Sequence, residues 1–271
     1  MVNMKQKSLW HYFSFSQTHQ GKVRDHNEDA CFDNPEAGVW VVADGMGGHE
    51  AGEVASRIVI DCVEMAVKDL TAEQLSIDKL RTALEQANEQ ILRHSASHLS
   101  GKTIGATVVL LFIQDGYFHC LWAGDSRLYL KREGRLLQKS RDHSQVMDMV
   151  SEGLLLASEA ESHPLANVIT RAVGVHSELA LDQVSGVLLS GDQFLLCSDG
   201  LNKELSDEEI ASCFAADSLT NAGMAMLHTA LVKGASDNVT IALVRATEEA
   251  SVSEVRHIID DTIPIFDTFQ R

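Results

Sequence analysis

The alternation of apolar and polar residues predicts strands arranged as hairpins. Residues 38–44, GVWVVAD, form a short apolar run rich in β-branched residues, which is typical of a buried strand. The apolar runs 107–113 and 117–125 flank Asp115-Gly116, a dipeptide that favours a tight hairpin turn. Residues 126–139 repeat this pattern around Glu133-Gly134. The remaining predicted strands are Gln193–Ser198 and Val239–Val244.

Two segments between the first strand and the first hairpin have apolar residues at helical spacing. Glu53–Leu70 and Ala72–His94 are predicted helices, and both apolar stripes indicate core packing. Hairpins with inserted helices argue against a doubly wound parallel nucleotide-binding fold, so we expect packed sheets with helices outside. The stripes consist of Val54, Ile58, Cys62 and Met65 in the first helix, and Leu80, Leu84, Ala87 and Ile91 in the second.

Composition narrows the possible functions. The chain has 271 residues, 45% of them hydrophobic, which is enough to build a core and excludes a mostly disordered chain. Its formal net charge of −17 argues against a nucleic-acid binder and against an electrostatic partner of anionic membranes, because both need a basic surface. No repeat or linker interrupts residues 21–245, so one domain is expected.

Cysteine usage and the termini indicate a compartment. The five cysteines include no C-x-x-C pair, and Cys120 and Cys197 sit in apolar runs, so we expect buried thiols rather than disulfides or a zinc site. The N-terminus lacks the apolar core of a signal peptide, and no run reaches the about 20 apolar residues that span a bilayer. These features predict a soluble cytoplasmic protein.

Four aspartates lie at the ends of predicted strands. Asp44, Asp125 and Asp199 each follow an apolar run, and Asp237 precedes one. A carboxylate there is unfavourable unless it is paired or coordinated, and Lys and Arg are scarce nearby in the sequence. Oxygen ligands without Cys or His pairs favour Mg²⁺ or Mn²⁺ over zinc. A single Asp-Gly is more often only a turn, but four such positions favour a metal site.

The segment Arg24-Asp-His-Asn-Glu-Asp29 adds Glu28 and Asp29 beside an arginine. A charged turn is the simpler alternative. The same residues also suit a site that holds a metal and a phosphate together, because guanidinium binds phosphate through two hydrogen bonds. Two cations sharing one carboxylate would generate a hydroxide at neutral pH and polarise a phosphoryl group.

Taken together, these motifs resemble the PP2C (PPM) family of metal-dependent serine/threonine protein phosphatases, in its bacterial form. The resemblance covers nearly all of residues 20–246, in the order that the family has. The matching stretches are RDHNEDA (24–30), VVADGMGGHEAGEVAS (41–56), GATVV (105–109), WAGDSRLYL (122–130), RDHS (141–144), NVITRAVG (167–174), GDQFLLCSDGL (191–201) and SDNVTIALV (236–244).

The resemblance implies a fold and a metal centre. The fold is α+β, a four-layer α/β/β/α sandwich of two antiparallel sheets flanked by helices. Asp44 would bridge two Mn²⁺ or Mg²⁺ ions, with the Gly45 carbonyl on the second ion and Asp199 and Asp237 on the first. Glu28 matches an acidic residue at the second ion, with Asp29 as its neighbour. Asp125 together with Asp199 matches a third, weaker metal site.

The resemblance also implies catalytic roles. Arg24 aligns with the arginine that grips the substrate phosphate, and a metal-bridging water or hydroxide would attack phosphorus. Some family members use a histidine two residues after the bridging aspartate as a general acid. Met46 occupies that position here and has no proton to donate, so metal-bound water is the expected acid. His49 could substitute as the acid, but a structural role in its loop is the favoured interpretation. Residues 145–166 match the flap that lies beside the active site in this family.

The sequence therefore predicts a phosphatase domain at 1–246 followed by an acidic tail at 247–271. The expected substrates are phosphoserine and phosphothreonine proteins, with a cognate bacterial Ser/Thr kinase as the opposing enzyme and the phosphatase as a monomer. Such pairs act in cell-wall growth, stress responses or type VI secretion. The alternatives are an inactive phosphoprotein sensor of the same family and a two-metal phosphodiesterase or nuclease.

Overall fold

The computed structural model describes residues 10–47, 50–70, 74–160 and 163–249. These residues form eleven strands, six α-helices and a 3₁₀ turn at Ala157–Glu159. The strands are β1 Trp10–His19, β2 Asp29–Asn34, β3 Val39–Met46, β4 Gly105–Ala106, β5 Val108–Gln114, β6 Tyr117–Ala123, β7 Arg127–Arg132, β8 Arg135–Gln138, β9 Asp182–Val187, β10 Gln193–Cys197 and β11 Val239–Glu248. The helices are α1 Glu50–Asp69, α2 Ile77–His98, α3 Gln145–Ser151, α4 Asp199–Asn202, α5 Asp207–Cys213 and α6 Leu219–Lys233.

Two antiparallel sheets make the frame. The first sheet has the strand order β1-β11-β10-β7-β8, and the second has the order β2-β3-β5-β6-β9 with β4 paired to the end of β3. The predicted hairpins β5–β6 and β7–β8 are present, each with a non-glycine residue at positive φ before the turn glycine. The hairpin β5–β6 belongs to the second sheet and the hairpin β7–β8 to the first, so the chain crosses from one sheet to the other after β6.

Alternate side chains of each central strand enter different layers, as the twofold period of a strand requires. In β3, Trp40 and Val42 face the other sheet and pack with Phe194 and other buried residues between the sheets. Val41 on the opposite face of β3 packs against the layer of α1 and α2, where Leu84 is fully buried. A third cluster joins the outer face of the first sheet to α5 and α6. These layers confirm the predicted α/β/β/α sandwich.

Helix α1 is rotated relative to its predicted stripe. Met65, which was predicted to be buried, is 62% exposed, so that prediction is wrong. Val54 and Ile58 are only half-buried, and the buried face instead contains Val59 and Val63 together with Cys62. Two rows of apolar residues run along this helix, and the sequence pattern alone does not distinguish which of them faces the core. The predicted stripe of α2 is buried as expected.

The sequence pattern missed several elements. Strand β1 was not predicted, because its ten residues mix polar and aromatic side chains, yet it pairs along its whole length with β11. Strand β9 is an edge strand whose residues alternate between half-buried and exposed. Strand β11 continues to Glu248, two residues beyond the predicted domain boundary at 246.

Two predictions concern residues that the structure leaves undescribed. His49 and most of the predicted tail, residues 250–271, lie outside the described residues. The predicted flap at 145–166 contains α3 and the 3₁₀ turn, with residues 161–162 outside the description. Among the described helices, none has the length and apolar character needed to cross a bilayer.

Candidate active site

All six predicted acidic residues lie at one end of the sandwich. The sheets position them there because β10 ends where the antiparallel strand β11 begins, while the turn from β6 to β7 and the first residue of β2 reach the same end. Their positions are Glu28 and Asp29 at the start of β2, Asp44 near the end of β3, Asp125 between β6 and β7, Asp199 at the start of α4, and Asp237 before β11.

Asp29 and Asp44 are directly opposite each other across β2 and β3. The buried Asp29 carboxylate accepts a 2.8 Å hydrogen bond from Ser198 Oγ, which in turn accepts one from the amide of Thr240. This chain of hydrogen bonds connects the second sheet to the ends of β10 and β11 in the first. Asp29 is therefore held by both sheets, and Asp44 lies beside it.

Asp44 is fixed through its backbone. Its carbonyl accepts a 2.8 Å bond from the amide of Thr107, and its own amide donates to Thr107 Oγ1. The strand does not end at Asp44 as predicted, because Gly45 and Met46 continue it by pairing with β4. The side chain of Asp44 stays half-buried at the open end of the sandwich.

Two glycines allow the backbone to pack closely at this point. The amide of Gly45 donates to the carbonyl of Glu28, and a Cβ on Gly45 would collide with the carbonyl of Gly52 in α1. A Cβ on Gly52 would in turn lie 2.6 Å from Glu28 Oε1. Gly45 and Gly52 therefore allow the start of β2, the end of β3 and helix α1 to approach more closely than side chains would permit.

Two basic side chains lie among the carboxylates. Arg24 holds Asp237 with both arms of its guanidinium, at 2.9 Å from Nε and 3.0 Å from Nη2. Lys203 Nζ lies 2.5 Å from Asp199 Oδ2 and 3.0 Å from Asp237 Oδ2. The expectation that basic residues are scarce nearby is thus wrong. Lys203 was missed although its spacing of four residues from Asp199 on a helix is a signal for such a pair.

Several carboxylate oxygens are buried without a hydrogen-bond donor. Buried polar atoms are normally paired, since leaving one unpaired is unfavourable, so their concentration in one place calls for a missing partner. Because carboxylates offer only acceptors, that partner must be a donor or a cation. The unpaired atoms here are Glu28 Oε1, Asp29 Oδ1, Asp125 Oδ1 and Asp199 Oδ1.

The pKa values of these carboxyl groups reflect the same shortage of hydrogen-bond donors and positive charge. Burial, followed in effect by the charge of Asp199, raises the pKa of Asp125 to about 7. Burial also raises the pKa of Asp29 to about 7 and that of Asp44 well above its usual range, with neighbouring carboxylates adding to the shift. Asp237 differs, because Lys203 and Arg24 outweigh its burial and lower its pKa. Without further positive charge, full ionisation of this group is opposed.

These residues fit divalent cations that prefer oxygen. The ligand atoms are carboxylate oxygens, which Mg²⁺ and Mn²⁺ prefer, and several of them have no hydrogen-bond donor. Among the described side chains, no three acidic, histidine or cysteine groups converge at coordination spacing. In this arrangement Arg24 and Lys203 contact oxygens of Asp237 and Asp199.

Comparisons with known proteins decide the family. The family model described as protein phosphatase 2C matches residues 17–234. The chain belongs to the PP2C family. The serine/threonine phosphatase stp of Listeria welshimeri is 33% identical over 236 residues, which are 84% of this chain and 93% of that protein. The chain is therefore a protein-serine/threonine phosphatase that uses Mn²⁺ or Mg²⁺ as its cofactor.

Solved structures of bacterial relatives are similar to this phosphatase. PppA, described as a key regulatory component of the type VI secretion system in Pseudomonas aeruginosa, is 42% identical with a TM-score of 0.78, over 88% of this chain and 99% of that one. The catalytic domain of the serine/threonine phosphatase PstP, solved with two manganese ions, is 30% identical with a TM-score of 0.80, over 88% of this chain and 100% of that one.

A cleft of about 270 Å³ opens beside the acidic end of the phosphatase. Its lining combines residues of the predicted flap with charged and polar residues of the sandwich, which are Asp125, Arg127, Asp142, Asp199, Asn202 and Lys203. The flap residues that line the cleft are all small or apolar, and the polar Ser144 and Asn167 flank the flap on either side; the flap residues are Val146, Met147, Ala157, Ala160 and Ala166. The cleft therefore joins the acidic residues to an irregular surface segment.

Two further residues bear on acid–base chemistry. Met46 is half-buried with its Cε close to Gly105, and it has no titratable proton. His143 accepts a bond from the amide of Gly124 on Nδ1, lies 3.1 Å from Asp182 on Nε2 and stacks on Trp122. These contacts give His143 the structural role predicted for it.

Proposed function

We propose that this phosphatase hydrolyses phosphoserine and phosphothreonine in proteins at the acidic end of the sandwich. The observation that carries the proposal is the set of buried carboxylate oxygens without donors, lying beside a guanidinium. Neutral hydrogen-bond donors would satisfy these oxygens in an ordinary core. Their absence among the described neighbours favours cations as the intended partners, since buried carboxylates need paired or coordinated charge.

Two divalent cations would be held by the predicted ligands. Asp44 would contribute to both sites, and Asp199 and Asp237 would complete the first. The carbonyl of Gly45 and the carboxylate of Glu28 would serve the second, with Asp29 beside them. When bound, such a pair of ions activates water and stabilises negative charge on a phosphoryl group. Ser198, Thr107 and the close packing at Gly45 support this arrangement because they fix the ligands before a metal arrives.

Arg24 would bind the substrate phosphate. Its guanidinium presently grips the two oxygens of Asp237, and the same fork matches two oxygens of a phosphate. Its side chain is about half exposed, so a phosphate on a protein surface has access to it. If Asp237 held a cation instead, Arg24 would be available to orient the phosphoryl group.

The cleft under the flap would receive residues that flank the phosphorylated one. Its wall near Asp199 is charged and its flap side is mostly small and apolar, so it suits an extended peptide segment better than a large planar ligand. Residues of a loop that lies beside a fixed catalytic end are suited to selecting substrates.

We infer a regulatory setting from the relatives. The enzyme would act as a cytoplasmic monomer that opposes a bacterial Ser/Thr kinase and dephosphorylates that kinase or its substrates. The 42% identity to PppA supports type VI secretion as the pathway, ahead of cell-wall growth or stress responses. Phosphoproteomics of a deletion strain tests this, with increased phosphorylation of secretion-system proteins as the expected result.

The direct test is hydrolysis of a phosphothreonine peptide by metal-free protein with and without added Mn²⁺. We expect Mn²⁺ to restore activity, and Asp237→Asn to lose it. Asp61→Asn is the matched control, because Asp61 also pairs with an arginine but lies on the outer face of α1. Failure of wild-type protein with excess Mn²⁺ to release phosphate would support the inactive sensor. Preference for a bis-p-nitrophenyl diester would support the phosphodiesterase alternative.

A further inference from the structure

Lys203 is a basic residue that lies among the carboxylates of the acidic end. It follows α4 directly, one helical turn after Asp199, and its side chain is 30% exposed. The ammonium contacts Asp199 and Asp237 at the same time. It thus places a fixed positive charge on two of the predicted ligands of the first metal.

Lys203 contacts Asp199, one of the two aspartates that the resemblance implies for a third metal, and lines the same cleft as the other, Asp125. That site needs Asp125 and Asp199, and Asp199 already gives its Oδ2 atom to Lys203. The lysine's charge also acts on Asp125, where it opposes the rise in the pKa of that carboxyl group. A divalent cation held between the two aspartates would lie close to the ammonium and be repelled by it.

The first metal keeps ligand oxygens in the presence of Lys203. Asp199 keeps its Oδ1 atom buried and without a donor, so one oxygen of this carboxylate is available while the other stays on the lysine. Asp237 is shared between Lys203 and Arg24, and withdrawal of the more exposed Arg24 would release one of its oxygens. Lys203 is therefore compatible with a pair of metals and competes with a third.

The charges of the site balance without a third metal. Its six acidic side chains carry six negative charges when ionised. Arg24 and Lys203 supply two positive charges, and two divalent cations supply the other four. The third ion is thus not needed to neutralise the resting site, although the same acidic residues without Lys203 would leave one charge uncompensated.

We propose that Lys203 is a built-in cation that replaces the third metal and restricts this phosphatase to two. It is a positioning residue, since it acts through Asp199 and Asp237. The proposal rests on the proposed metal centre, but it makes a claim about how many ions bind that does not depend on turnover.

The test is the number of Mn²⁺ ions bound per chain, measured by equilibrium dialysis from micromolar to millimolar metal. We expect two ions in the wild-type protein and in Lys203→Arg, which keeps the charge. In Lys203→Gln a third ion should bind, at least about tenfold more tightly than any further binding by the wild type, because one positive charge is removed. Lys68→Gln is the matched control, since Lys68 forms the same type of ion pair four residues from Glu64, on α1.

A third saturable Mn²⁺ ion in the wild-type protein would overturn the proposal, whether or not the variants fold. Lys203→Gln that retains its melting transition and still binds two ions would also overturn it. If the wild type binds two ions and the variant three while neither hydrolyses phosphopeptides, the role of Lys203 stands and the proposed function fails. The two failures are therefore distinguishable.

Discussion

The molecule buries carboxylates in two contrasting settings. Asp192, at the start of β10 and 1% exposed, receives two bonds from Arg132 at 2.7 and 2.6 Å and a third from the amide of Leu189. Asp29 and Asp125 are comparably buried, yet each keeps an oxygen without any donor. Both settings bury a carboxylate, but only Asp29 and Asp125 keep an oxygen that neither a donor nor a cation satisfies.

The contrast separates a structural carboxylate from a functional one. A buried ion pair with complete hydrogen bonding, such as Arg132–Asp192, holds a loop in place and has no capacity left for a ligand. A cluster with unpaired oxygens is unfavourable in the folded chain and persists because the surrounding sheets impose it. Functional sites are where such local costs are expected.

The largest predicted effect compares Asp44→Asn with Asp192→Asn in activity. Asp44→Asn should lower kcat by at least about 10³-fold, equivalent to roughly 4 kcal/mol, because it removes a charge shared by both proposed cations. Its metal-free Tm should equal or exceed that of the wild type, since one mutually repelling buried charge is gone. Steady-state phosphopeptide kinetics and thermal melts check both quantities.

Asp192→Asn is the isosteric control for that experiment and should keep wild-type kcat at temperatures where it is folded. Equal losses of activity in the two variants would erase the distinction drawn between the two settings.

An intermediate effect concerns stabilisation by metal. Mn²⁺ at about 100 times its dissociation constant adds roughly 2.7 kcal/mol per site, so filling both proposed sites should raise the wild-type Tm by roughly 10–20 °C. Asp44→Asn should lose most of this shift, while Asp61→Asn on the outer helix should keep it. Differential scanning calorimetry with and without Mn²⁺ measures it. A shift of equal size in all three proteins would mean that the ion binds elsewhere.

The smallest effect is the stability cost of Asp192→Asn. Weakening a buried pair should lower the free energy of unfolding by about 2 kcal/mol, discounted because Arg132 is 28% exposed. That corresponds to a fall in Tm of roughly 4–8 °C for a domain of this size. Urea unfolding of the metal-free protein checks it, and an unchanged midpoint would show that this pair contributes little.

The sequence predicted the strands with continuous apolar runs and the residues that gather at the site. Strand β3 and the hairpin β5–β6 were readable because buried strands are apolar on both faces. The convergence of Asp44, Asp199 and Asp237 followed from their shared place at strand ends and from the family resemblance, and the sheets bring them to one end.

What the sequence could not predict depends on contacts between distant segments. Strand β1 forms by pairing with β11, more than 200 residues away, and its own pattern gives only a weak signal. The rotation of α1, which exposes Met65, depends on which apolar row meets the sheet. Lys203 was overlooked because its nearness to Asp237 arises only from the approach of α4 to the start of β11.

The most direct test of the central claim is a crystal structure of the protein soaked with Mn²⁺, with anomalous difference maps collected at the manganese edge. We expect two anomalous peaks at the acidic end, both in contact with Asp44, and none between Asp125 and Asp199 while Lys203 is present. No peak at Asp44, or peaks only on the outer helices, would contradict the assignment of these buried, unpaired carboxylates to a metal centre.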